Sequence, residues 1–284
     1  MKLCRYDADR VGLVQDDRVV DVSDALSVLG EMRWPVPKGD RLIARFEEFR
    51  AAAEEIKDVP GKLLSEVRLL SPIANPTKII GAPVNYAKHL DESRKDQGIH
   101  FDREIKTIDQ YGLFLKASSS ICGPSEGVAL RFPDRRNDHE VELVAVIGRQ
   151  ADRISREDAL DYIAGYTVGL DMTVRGTEDR SFRKSIDTYT VIGPWLVTAD
   201  EVGDPGALDI ELSVNDEMRQ RSNTRHLIFD VPRLIEYASS FYTLYPGDVI
   251  MTGTPEGVGP VRPGDSITAA IAGVGAMTVD VRDA

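Results

Sequence analysis

Asn137-Asp-His-Glu-Val-Glu-Leu-Val-Ala-Val-Ile-Gly148 decides how this chain is read. Side chains of a strand alternate faces, so Glu140 and Glu142 point the same way, followed on that face by Val144 and Val146. Val141, Leu143, Ala145 and Ile147 take the other face. Both faces become apolar, which predicts an interior strand. Two neighbouring carboxylates entering a core lose hydration and repel each other, at a cost of several kcal/mol unless something positive meets them. Two readings stand at this point. One is a hard divalent cation; the other is a wet strand end paired with Arg131, Arg135 or Arg136.

A second strand-like run, Gly165-Tyr-Thr-Val-Gly-Leu-Asp171, delivers Asp171 at its end. Three carboxylates from two strands make an oxygen-rich half-shell, suited to Mg2+ or Mn2+ with positions left for water or substrate. Zinc is less well served: the four histidines fall at 89, 100, 139 and 226, and Cys4 and Cys122 are not paired.

The composition bounds the rest. The chain has 284 residues, 42% hydrophobic and 29% charged, with a net charge of −12. That charge argues against a nucleic-acid partner, though not against a small anion held by a local basic cluster. No apolar run approaches a membrane span, and Met1-Lys-Leu-Cys-Arg-Tyr-Asp7 does not suit a signal peptide. Two cysteines do not make a disulfide framework, so a cytoplasmic location is expected.

The expected fold is mixed α+β and rich in strands, with a small N-terminal accessory domain (1–70) and a catalytic domain (71–284). Val11–Val22 reads as two strands around an Asp-Asp turn, and 40–57 as a surface helix. Strands are expected at 78–81, 112–116, 128–132, 140–147, 165–171, 195–198, 208–215 and 248–252, with two more between 266 and 281. Helices are expected at 157–164 and 229–241.

Other groups carry chemistry. His89 and Glu92 are three apart in Asn85-Tyr-Ala-Lys-His-Leu-Asp-Glu-Ser93, a helix with Asn85 as its expected cap. The carboxylate then orients the imidazole as a general base. The polar stretch 91–109 reads as a lid over substrate. Lys184 and Arg175 suit a substrate carboxylate or an oxyanion. Gly247–Gly259 ends in a glycine-rich turn with Thr254 as a donor, and it lacks the Lys-Ser/Thr of a phosphate loop.

Together Asn85-Tyr-Ala-Lys-His89, His139-Glu-Val-Glu-Leu143, Gly165–Asp171, Lys184-Ser-Ile-Asp187, Gly193-Pro-Trp195 and Gly247-Asp-Val-Ile-Met-Thr-Gly-Thr-Pro-Glu-Gly-Val-Gly259 resemble the fumarylacetoacetate hydrolase family, in its acylpyruvase and 2-hydroxyhepta-2,4-diene-1,7-dioate isomerase-like branch. The resemblance spans about residues 72 to 281. It implies a β-rich roll or sandwich with Mg2+ or Mn2+ in its mouth, in a homodimer. It assigns Glu140, Glu142 and Asp171 to the metal and His89, Glu92 and Lys184 to catalysis. Arg175, Thr254, Lys116 and Tyr86 fall to the substrate, a small keto acid. The family cleaves carbon–carbon bonds of 1,3-dicarbonyl acids, or decarboxylates, tautomerises or hydrates related keto acids. Departures touch the pocket wall: a shorter Arg175–Lys184 linker, Glu178 where some relatives have glutamine, and Gly81-Ala-Pro-Val84 before Asn85. The leading expectation is hydrolysis of an acylpyruvate to pyruvate and a carboxylic acid. The rivals are a decarboxylase or enol–keto isomerase on the same scaffold, and a non-catalytic keto-acid-binding protein.

Overall fold

A computed structural model describes residues 1–56 and 59–284. Its largest sheet has twelve strands among the described residues. The main path runs from Lys62–Leu63 through Arg18–Asp21, Arg10–Gln15, Lys2–Tyr6, Thr190–Thr198, Ile163–Asp171, Val141–Ile147, Val249–Met251 and Ile79–Gly81 to Phe114–Lys116. The decisive stretch lies inside it. Val141–Ile147 pairs antiparallel with Ile163–Asp171 on one side and with Val249–Met251 on the other, and all seven of its residues are buried.

Its two faces feed two different cores, as the alternation predicts. Val141, Leu143, Ala145 and Ile147 join the larger core with Ile210, Leu212, Leu234, Ile267 and Val279. Val144 and Val146 join the second core with Leu13, Phe46, Phe49, Ile79 and Met251. Burying each such side chain contributes roughly 1.5–3 kcal/mol, so this strand anchors both layers. A five-stranded sheet, Glu217–Asn223, Asp209–Val214, Ser266–Ile271, Gly275–Asp283 and Val128–Leu130, covers the larger core. Asn137–His139 turns away into a short sheet with Thr173–Val174 and Gly259–Pro260. Glu140 sits at that junction. Residues 1–70 are not set apart in the sheet: Lys2–Tyr6 pairs directly with Thr190–Thr198.

Several expectations need correction. The helix expected at 157–164 is a single 3-10 turn, Ala159–Tyr162, because Ile163 and Ala164 are drawn into the sheet. The 40–57 helix is interrupted at Arg45, whose backbone leaves the helical region, and resumes as Phe46–Ile56. Its expected end at Lys57 lies outside the described residues. The strand expected at 195–198 begins at Thr190 and runs through Pro194. Its pairing with Ile163–Asp171 is irregular there, which is how a residue without an N–H fits a central strand. The strands Lys2–Tyr6 and Glu217–Asn223 were not expected.

Candidate active site

The mouth of the sheet gathers the acidic residues. The backbone N–H of Asp171 donates to the carbonyl of Glu140 at 2.9 Å. That bond sets the ends of the two neighbouring strands side by side. Carboxylate oxygens of Glu140, Glu142 and Asp171 lie within 4.8 Å of one another, and all three residues are buried. Arg131, Arg135 and Arg136 do not meet them. Arg131 pairs with Asp187, Arg135 with Glu178, and Arg136 with Asp96 and Asp138.

Cations reach only two of the three. Lys184 Nζ donates to Glu140 Oε2 at 2.7 Å, Asp171 Oδ2 at 2.6 Å and Thr173 Oγ1 at 2.6 Å. Lys116 Nζ donates to Asp171 Oδ1 and to the carbonyl of Tyr189. Arg175 donates from Nε to Asp138 Oδ2 at 2.7 Å and from Nη2 to Glu140 Oε1 at 2.9 Å. Burial alone would raise the Glu140 carboxyl, but Lys184 and Arg175 hold it well below the usual carboxylate range. Among the described residues Glu142 has no such partner; Oε2 accepts one hydrogen bond, from the Gly253 amide at 2.7 Å. Burial pushes it well above the usual range, and Asp171 and Glu140 add to the shift. An all-oxygen donor set with an uncompensated buried carboxylate fits a hard divalent cation.

The His–Glu pair forms beside this set. His89 Nδ1 lies 2.9 Å from Glu92 Oε2 on the helix Ala87–Lys95, on one helical face as their spacing requires. Glu92 Oε1 accepts from the Gly257 amide at 2.9 Å. Gly257 has φ +94°, and a β-carbon there would lie 2.0 Å from the Arg219 carbonyl, so only glycine fits. Asn85 is not the expected helix cap; that position belongs to Tyr86, which makes no side-chain capping bond. The Asn85 side chain is taken elsewhere. It donates to the carbonyls of Phe229 and Thr252, both at 2.8 Å, and accepts from the Phe229 amide at 2.7 Å. It thereby pins the helix start to the turn that carries Gly253.

A cavity of about 650 Å³ opens over these groups. His89, Glu140, Glu142, Asp171, Arg175, Lys184 and Thr254 line it, together with residues of the expected lid such as Ile99, His100 and Arg103. Two expected substrate contacts stand behind the wall. Lys116 is buried against Asp171. Tyr86 is buried, its hydroxyl without a hydrogen-bond partner among the described residues.

Three supporting groups escaped the sequence reading. Asp138 anchors Arg175 from the face that alternation also gives Glu140, and both carboxylates meet that guanidinium. Thr173 accepts from Lys184. Gln220 links the His139 ring (3.1 Å), the Val141 amide (3.2 Å) and Thr254 Oγ1 (2.8 Å). Gln220 lies in the polar run Glu-Met-Arg-Gln-Arg-Ser-Asn, which carries no pattern to single it out.

Comparison with known proteins agrees with this arrangement. The family described as fumarylacetoacetate (FAA) hydrolase C-terminal matches residues 78–282. A maleylpyruvate hydrolase of Aquipseudomonas alcaligenes is 55% identical over 288 residues, covering 99% of each chain. An oxaloacetate tautomerase of Rattus norvegicus is 37% identical over 218 residues, 75% of this chain and 66% of that one. A crystal structure of maleylpyruvate hydrolase from Sphingobium sp. SYK-6, in complex with manganese(II) ion and pyruvate, superposes with a TM-score of 0.83 at 42% identity, covering 100% of this chain and 99% of that one. On the strength of both the sequence match and the site, this chain belongs to the fumarylacetoacetate hydrolase family.

Proposed function

We propose that this protein is a divalent-metal-dependent hydrolase that cleaves an acylpyruvate into pyruvate and a carboxylic acid. The observation that carries the proposal is Glu142: a buried carboxylate without a cation, beside two carboxylates that have one and a His–Glu pair. Glu140, Glu142 and Asp171 are the residues to hold Mn2+ or Mg2+. Bound there, such an ion supplies Lewis acidity to the oxygens of a 2-oxo acid and offsets charge that builds up as the carbon–carbon bond breaks.

The chain's own groups do the remainder. His89, with Nδ1 engaged by Glu92, keeps Nε2 for water. The water oxygen bonds to the carbonyl carbon of the acyl arm while His89 takes one of its protons. The bond from that carbon to the adjacent methylene then breaks, and the electron pair leaves with the pyruvate fragment, whose methylene carbon takes a proton back. Lys184 places positive charge beside the developing oxyanion and fixes the spacing of Glu140 and Asp171. Arg175 braces Glu140 and faces the substrate; Thr254, held by Gln220, supplies a hydroxyl to it. Lys116 acts through Asp171 from behind the cavity wall.

The likeness to an oxaloacetate tautomerase favours a second reading, isomerisation without the water step. His89→Ala separates the two. On the hydrolase reading kcat for pyruvate release falls about 10²- to 10⁴-fold. Undiminished turnover in that variant would remove the hydrolytic role of His89. We further read residues 1–70 as a support for the catalytic part at 71–284, and the working form as a cytoplasmic homodimer, from the family resemblance and the composition.

A further inference from the structure

The helix that carries His89 and Glu92 is fastened at both ends, by different devices. Asn85 pins its start to Phe229 and Thr252. Its far end is Asp96, which closes one helix and opens the next. The Asp96 amide donates to the Glu92 carbonyl at 2.9 Å. Its Oδ1 accepts from the Gly98 amide at 2.8 Å, capping the short helix Gln97–His100. The same carboxylate meets Arg136, whose Nη1 donates to Oδ1 at 3.1 Å and to Oδ2 at 2.9 Å. Burial opposes the charge on Asp96, but Arg136 holds its carboxyl below the ordinary value, helped by the Gly98 amide and by Arg175.

Arg136 reaches further in. Its Nε donates to Asp138 Oδ1 at 2.8 Å. Arg175 takes the other oxygen of Asp138 and then meets Glu140. Charges of alternating sign therefore run from Asp96 through Arg136, Asp138 and Arg175 to Glu140, from the end of the His89 helix to the carboxylate cluster. Asp138 is fully buried in the strand Asn137–His139, so the series is rooted in the short sheet. Among the described residues no other ion pair joins residues 93–103 to the sheets. The space around the pair is filled: a β-carbon on Gly98 would lie 2.5 Å from Arg136 Nη1 and 3.2 Å from Asp96 Oδ1.

We propose that Arg136 is a positioning residue for the hydrolytic step. By holding Asp96 to Asp138 it fixes the tilt of the helix Ala87–Lys95, and with it the placement of His89 over the three carboxylates. The reason is geometric. Asn85 sets where the helix begins but not its direction, and a second anchor about 15 Å along the axis sets the direction. A catalytic group displaced by about 1 Å can lose on the order of 100-fold in rate. The proposal rests on the reading of His89 as the base that activates water.

Three variants loosen the brace from different sides. Arg136→Met removes the cation. Asp96→Asn removes the charge and can still cap Gly98. Gly98→Ala pushes the guanidinium aside and leaves both charged residues in place. Each should lower kcat for pyruvate release on the order of 10-fold, with KM and the manganese affinity, followed by calorimetry, unchanged. Arg136→Lys should recover part of the rate, and in a His89→Ala background Arg136→Met should cost nothing further. Hydrogen exchange on the metal-free protein gives a measure independent of turnover. Amides of residues 90–96 should exchange about 10-fold faster in Arg136→Met and Asp96→Asn, while Val141–Ile147 stays protected. Unchanged exchange in both variants overturns the brace. Faster exchange with unchanged kcat overturns the positioning role, as does a loss of rate that persists in the His89→Ala background. A fall in manganese affinity overturns it too, by placing the effect of Arg136 on the carboxylates instead. If the wild type releases no pyruvate, the hydrolase reading fails, and the exchange result alone decides whether Arg136 holds the helix.

Discussion

Glu142 decides the reading at the scale of single residues. A buried carboxylate supported by one amide destabilises the metal-free protein. Glu142→Gln removes the charge and keeps the shape. The metal-free variant should therefore melt at or above the wild-type temperature, while losing the stabilisation that manganese gives. A melt that drops in the metal-free variant and still rises with manganese would show that Glu142 is an ordinary structural acid. The second residue-scale prediction concerns Gly257, whose amide holds Glu92. Gly257→Ala meets the Arg219 carbonyl at an unfavourable φ, so the Glu92 contact should break. Turnover should then fall about 10-fold or more with manganese affinity, followed by calorimetry, unchanged. Much of the site was legible at this scale because strand alternation alone puts Glu140 and Glu142 on one face and the helix period pairs His89 with Glu92. Asp138 and Gln220 were not. They act through contacts between distant segments, and their types have ordinary uses on any surface.

At the scale of elements, the central strands were readable from apolar runs, and the amphipathic helix Val231–Phe241 from its spacing, with Asp230 as its cap. Lys2–Tyr6 and Glu217–Asn223 were not readable: the first is too short and mixed to show a period, six of the seven residues of the second are polar, and their partners lie far along the chain or across a turn. Close packing between strands gives an element-scale prediction. A β-carbon on Gly165 would lie 2.2 Å from the Val197 carbonyl. Gly165→Ala should cost about 1–3 kcal/mol by forcing the strands apart, visible as a lower urea midpoint; an unchanged midpoint contradicts that packing. The first hairpin gives another. Asp21 accepts from Tyr6 Oη at 2.6 Å and from the Ser23 amide at 2.9 Å, and it pairs with Arg10. Burial opposes its charge, but Arg10, Tyr6 and Ser23 hold the carboxyl below its ordinary value. A depressed carboxyl stabilises above its unfolded pKa and loses that contribution as pH falls through the folded one. Asp21→Asn should thus lower stability near neutrality by about 1–3 kcal/mol, with a difference from wild type that closes below about pH 4. A difference that stays constant into acid would refute the ionic origin.

For the whole molecule, the strand order could not be deduced in advance. Lys2–Tyr6 joins the main sheet beside Thr190–Thr198, and no local pattern announces a pairing across so much chain. What the sequence did carry was the consistency between a strand with two apolar faces and a molecule with two cores either side of it. Because the three carboxylates proposed to hold the metal sit at the adjoining ends of that strand and its neighbour Ile163–Asp171, metal binding at them is predicted to be linked to global stability. At a hundredfold excess over the dissociation constant a single ion contributes about 2.7 kcal/mol. The most direct measurement is product analysis by NMR, with the manganese-loaded protein given an acylpyruvate and a chelated sample run beside it. Equal amounts of pyruvate and the second acid, absent from the chelated sample, are the predicted result. Pyruvate formed equally under chelation, or an isomerised substrate with no pyruvate at all, would contradict a metal-dependent carbon–carbon hydrolase.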